Sequence, residues 1–128
     1  MEKEKFIEES QKRMQKCLEV FERKYVEYSK HNGNTDDDYF YAFKSIGNLL
    51  KENPEKVAFM YMMKHFQSFI DIIYHNHNVS EEVFDEKVGD LLNYILIING
   101  IKKEQYAKLK NNSYNNSSNN TNDIPLTC

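Results

Sequence analysis

Two stretches of this 128-residue chain set reactive side chains at helical spacing. The first is Lys64-His65, which follows the apolar run from Val57 to Met63 and precedes Phe66, Phe69 and Ile70. An ammonium in such a run needs a partner, because an unpaired buried charge is costly. One reading holds Lys64 in a cleft to meet a phosphate oxygen. The other lets it snorkel to solvent along a polar stripe shared with His65 and Gln67. The second stretch is Glu86, Asp90 and Asn93, at i, i+4 and i+7, which share one helical face. Hard oxygen ligands one turn apart suit Mg²⁺, which takes one or two carboxylates together with substrate phosphates. A plain solvated face has the same pattern. Gly89, beside Asp90, is the more pointed signal: glycine inside a helix costs roughly 1 kcal/mol against alanine, so another helix or a ligand is expected to approach closely there.

Other constellations are thinner. His75-x-His77 has metal-ligand chemistry but no acidic or cysteine neighbour in sequence, and a polar loop explains it. Asp36, Asp37 and Asp38 offer oxygens, but also suit the first turn of a helix. Met60, Met62 and Met63 read as core. No glycine-rich phosphate loop, nucleophile elbow or Cys/His pairing is visible, which disfavours serine- and cysteine-nucleophile enzymes.

The elements that position these residues read as helices. Four glycines and two prolines are too few for a turn-rich β fold. Residues 2–30 carry Ile7, Met14, Leu18, Phe21, Tyr25 and Tyr28 at helical spacing, and His31-Asn32-Gly33-Asn34 stops that helix. A second helix is expected with Thr35-Asp36-Asp37-Asp38 as its N-cap and first turn, and with Phe40, Phe43, Ile46, Leu49 and Leu50 on one face. Asn53-Pro54 starts a third, about 54–74, apolar nearly all round in its first turns and so expected centrally or at a subunit interface. Ser80 caps a fourth, about 80–99, with Phe84, Val88, Leu91, Ile95 and Ile98 spaced four, three, four and three. Gly100 ends it or bends it, with residues 102–110 continuing. From Asn111 the sequence turns to Asn and Ser and reads as a disordered tail. The expectation is an all-α four-helix domain over 1–110 and a tail over 111–128. Counted from the 75–79 loop, Lys64 and Asp90 lie about 11 residues away on either side, which puts them at similar height in an antiparallel pair and suggests one shared cleft.

Composition narrows the function classes. Seventeen Lys+Arg against 20 Asp+Glu give a net charge of −3, which removes the electrostatic footprint of a general nucleic-acid binder. The longest apolar run is seven residues, too short to span a membrane. The charged N-terminus is neither a signal peptide nor a transit peptide. Two cysteines, Cys17 and Cys128, make a disulfide scaffold improbable and a cytoplasmic setting the expectation.

The stretches YAFKSIGNLLKENPEKVAFMYMMKHFQSFIDII and SEEVFDEKVGDLLNYILIINGI resemble small phage-type proteins related to the MazG-like all-α nucleoside triphosphate pyrophosphatases, over about residues 40–101. The resemblance implies a helical homo-oligomer that binds Mg²⁺ and a nucleotide and cleaves between the α and β phosphates. Asp90 falls where the family motif has its aspartate, and Lys87 stands at the motif's glutamate position, with Glu86 one residue before it. The third helix, in place of the family's glutamate cluster, offers only Lys64 and Asp71. On this reading Glu86 and Asp90 are catalytic, Glu86, Asp90 and Asp71 hold metal, and Lys64 and Asn93 contact substrate, in a depleted site. The competing expectation is a non-catalytic helical interaction protein, either a nucleotide sponge or a partner-binding oligomer.

Overall fold

The computed structural model describes residues 1–28, 38–75 and 78–117, which form four α-helices and, among the described residues, no strand. They are α1 (Lys3–Tyr28), α2 (Tyr41–Leu50), α3 (Pro54–Tyr74) and α4 (Glu81–Ser117).

The helix signals place α3 as expected. Pro54 occupies the first turn, and the Asn53 carbonyl accepts the backbone N–H groups of Lys56 and Val57, although the Asn53 side chain makes no capping bond. Ser80 caps α4, its Oγ accepting the Val83 N–H at 3.2 Å. The start of α2 differs. Asp38 is not in its first turn; instead its Oδ1 accepts the Phe40 N–H at 3.0 Å, and the helix begins at Tyr41. An aspartate side chain that bonds two residues ahead builds a turn in competition with the helix. Thr35, Asp36 and Asp37 lie outside the described residues.

The C-terminal boundary also differs. Gly100 does not end α4, and the helix continues past Lys110 to Ser117, so the expected break at 110/111 is not there. Extending a formed helix adds one hydrogen bond per residue fixed, and the modest penalties of Asn and Ser are insufficient to stop it. The remainder of the proposed tail, 118–128, lies outside the described residues.

Phe43 of α2, Val57 and Ala58 of α3, and Ile97 and Ile101 of α4 make the buried core, with Phe21, Phe40, Ile46, Tyr94 and Ile98 packed around it. Each large side chain taken fully from water contributes about 1.5–3 kcal/mol. Polar staples flank this core. The Lys44 ammonium reaches from α2 to Asp38 and to Glu104 of α4, and Gln105 Nε2 donates to Glu55 Oε2 at 2.8 Å between α4 and α3.

Helix α3 is not buried all round. Val57 and Ala58 are enclosed, whereas Phe59, Met63, Phe66 and Ile73 are exposed, with Ile70 half-buried between them. These five positions are spaced four, three, four and three, the repeat of a helix–helix seam. On α4, Ile95 is 53% exposed, and Val88 and Leu91 are half-buried. At about 100° per residue, the α3 seam sits roughly a quarter turn from the side that meets α4, and the α4 stripe roughly a quarter turn from the side that meets α3. Because the helices run antiparallel, both rotations lead to the same side of the hairpin. It is the side opposite α1 and α2, which meet α4 through Arg13 and Gly89 and meet α3 through Phe43 and Tyr61. No helix among the described residues is long and apolar enough to cross a membrane.

Candidate functional site

The polar residues converge on the other side, in a cleft of about 1010 Å³ between α1 and α4, with His65 of α3 at one end. Asp90, Asn93 and Tyr94 of α4 line it beside Glu86, facing Arg13 and Lys16 of α1. His65 Nδ1 lies 3.2 Å from Asp90 Oδ2, and the imidazole stacks on Tyr94 with ring centroids 5.2 Å apart. Arg13 crosses from α1: Nη1 donates to the Asp85 carbonyl at 2.7 Å, and the guanidinium rests on Gly89, where a Cβ would stand 2.9 Å from Nη2. The close approach expected at Gly89 is thus made by a side chain of α1. Two buried polar atoms on the cleft residues, Arg13 Nε and Asn93 Oδ1, have no hydrogen-bond partner among the described residues.

Of the expected site residues, Glu86, Asp90 and Asn93 share this cleft, and Lys64 and Asp71 do not. The shared height of Lys64 and Asp90 holds to within a residue, but the neighbour His65 takes the contact. One residue rotates a side chain by about 100°, so when His65 faces α4, Lys64 is turned to solvent and is exposed. Asp71 accepts a hydrogen bond from Gln67 Nε2 at 3.0 Å along its own helix, away from the cleft. His75 is exposed, and His77 lies outside the described residues. Sequence reasoning missed Arg13, Lys16 and Tyr94 and treated His65 only as a polar neighbour; Gly89 was the available pointer to Arg13.

The three residues expected to hold Mg²⁺ are not brought together. Asp71 is elsewhere, Asp90 is engaged by His65, and no group of three or more His, Cys, Asp or Glu side chains converges among the described residues. The charge balance of the cleft is also unfavourable to a bare polyphosphate. Six carboxylates line it (Glu19, Glu22, Glu82, Asp85, Glu86 and Asp90) against four cations, Arg13, Lys16, Arg23 and Lys24. Lys16 Nζ lies 4.0 Å from Asp85, and Arg13 is bonded to a carbonyl, so both are partly committed to the protein. No family model, curated protein or solved structure matches the chain.

Proposed function

We propose that this chain is a non-catalytic helical interaction protein of the partner-binding kind, not a nucleotide sponge. The observation that carries this reading is the uncovered seam on α3, where Phe59, Met63, Phe66 and Ile73 are each between 37% and 49% exposed at coiled-coil spacing. A contiguous exposed apolar face is a mark of an interaction surface. The scattered donor set adds support, since the carboxylates expected to organise phosphoryl chemistry are divided between two faces.

A second reading keeps the cleft as a nucleotide site. The unpartnered Arg13 Nε and Asn93 Oδ1 favour it, because a nucleobase edge presents both an acceptor and a donor. On that reading Mg²⁺ enters with the nucleotide as its counter-ion, and Asp90 and Glu86 are the carboxylates nearest to it. Two measurements separate the readings: pyrophosphate release from a panel of deoxynucleoside triphosphates with Mg²⁺, and calorimetric titration of the same nucleotides. The interaction reading expects neither turnover nor binding. Turnover that disappears in Asp90→Asn would overturn it in favour of the pyrophosphatase reading.

A further inference from the structure

We infer that the partner of the open α3/α4 face is a second copy of this chain, docked about a two-fold axis. This rests on the interaction reading above and names its partner. The α3 seam is centred on Phe66, and the apolar stripe of α4 is centred on Leu91. The cross-helix contacts of His65 with Asp90 and Tyr94 put those two centres at one height. A two-fold axis lying in the plane of the interface at that height, perpendicular to the helices, lays each seam on its own counterpart in the other copy, antiparallel and with its apolar positions in step. A seam offset along either helix would lose that register.

The area also fits. The five exposed side chains of the two stripes supply on the order of 450 Å² per copy, and the half-buried Ile70, Val88 and Leu91 bring the face toward the roughly 600–800 Å² per partner of a standard interface. No charged residue belongs to either stripe, as in the core of an interface. An isologous contact closes on itself, so a dimer covers the face without leaving an open end for fibres.

Sedimentation of the full chain at micromolar to high micromolar concentration tests this, alongside Phe66→Arg, Ile95→Arg and a control, Ile7→Arg. Ile7 is 43% exposed on α1 and lies off the face. The expected result is a species of twice the 15.3 kDa chain mass for the parent and for Ile7→Arg. Phe66→Arg and Ile95→Arg should dissociate about 100-fold more readily with helical circular dichroism retained. Placing one arginine on each helix keeps the test intact if either variant fails to fold. A parent chain that is monomeric throughout overturns the self-association, as does a dimer that survives both arginines. A monomer that floats with anionic phospholipid vesicles assigns the face to lipid and overturns it too. The pyrophosphate assay is independent of all three outcomes, so failure of the dimer and failure of the interaction reading remain distinguishable.

Discussion

Arg13 lies flat over Gly89, its Nη2 2.9 Å from the place a glycine Cβ would occupy, so the guanidinium takes the space that any other residue would fill. Two other glycines are similarly crowded, by stiffer neighbours. A Cβ on Gly100 would stand 2.6 Å from the Phe40 ring, and one on Gly47 2.6 Å from the Glu52 carbonyl oxygen. The freedom of the obstructing atom decides the cost. Alanine at Gly89 gains roughly 1 kcal/mol of helix propensity and displaces only the end of a flexible side chain, so its stability should stay within about 1 kcal/mol of the parent. At Gly100 an aromatic ring must move, and at Gly47 the backbone of Glu52, whose N–H donates to the Gly47 carbonyl, must move. Urea unfolding should rank the losses Gly47→Ala, then Gly100→Ala, then Gly89→Ala, with the first at about 2–3 kcal/mol.

His65, not Lys64, should carry the coupling between α3 and α4. Removing the imidazole in His65→Ala loses the Tyr94 stack and the Asp90 contact, and should cost about 1–2 kcal/mol in denaturant titration. Lys64→Ala removes a solvent-exposed side chain and should stay within about 0.5 kcal/mol of the parent. Equal losses in the two variants would show that Lys64 has a partner in solution.

The pair also shows what the sequence could and could not reveal. Counting outward from the 75–79 loop gave the height of residues on α3 and α4, because rise per residue is nearly constant. It did not give azimuth, and 100° of rotation separates the cleft from solvent. The start of α3 was legible from Asn53-Pro54, and the cap of α4 from Ser80, because each signal acts through its own backbone bonds. The start of α2 was misplaced because Asp38 serves a turn as readily as a helix. The end of α4 was misplaced because composition reports whether a segment can bury a core, not whether an existing helix can extend through it. Arg13 was not legible as a site residue, since its place depends on how α1 docks. The four-three repeat of Phe59, Met63, Phe66, Ile70 and Ile73 was present in the sequence but hidden in a helix that is apolar on several other sides.

The Lys44 bridge predicts a specific pH dependence. Burial alone would lower the Lys44 pKa, but hydrogen bonds to Asp38 and Glu104 outweigh it and raise the ammonium above its ordinary 10.5. Burial likewise would raise the Glu104 pKa, but hydrogen bonds from Lys44 and Lys108 outweigh it and hold the carboxyl below its ordinary 4.5. A depressed carboxyl contributes stability above 4.5 that is lost as pH falls through its folded value; a raised ammonium contributes stability below 10.5 that is lost as pH rises through its own. Lys44→Met should therefore cost about 1 kcal/mol at neutral pH, and its difference from the parent should shrink below pH 4.5. A difference that stays constant from neutral to acid pH would assign the loss to packing of the lysine stem.

The last turns of α4 should be dispensable for stability. Residues 107–117 are all exposed, and the hydrogen bond of Ser117 Oγ to the Tyr114 carbonyl is local to the helix. Truncation after Lys110 should shift the melting temperature by less than about 4 °C, roughly 1 kcal/mol for a domain of this size. Far-UV helicity should fall with the turns removed. A larger thermal shift would mean that these turns dock in solution.

Cys17 offers a way to time the undocking of α1. It is the one fully buried residue among the described positions of that helix, at 0% exposure, while Phe6, Ile7, Met14 and Leu18 on the same helix are all exposed. A helix whose described side chains enclose so little apolar surface is held weakly. The cross-helix ties of α1 include the Arg13 bond to Asp85 and the Tyr39 hydroxyl bond to the Phe21 carbonyl at 3.1 Å. Local opening of α1 should therefore be more frequent than global unfolding. In a Cys128→Ser background, thiol labelling of Cys17 should be faster than the global unfolding equilibrium allows, and largely insensitive to low urea. Arg13→Ala should accelerate it several-fold while leaving the global unfolding free energy within about 1 kcal/mol of the parent. Labelling that instead tracks global unfolding in both proteins would show that α1 and the α2–α4 core open as one cooperative unit.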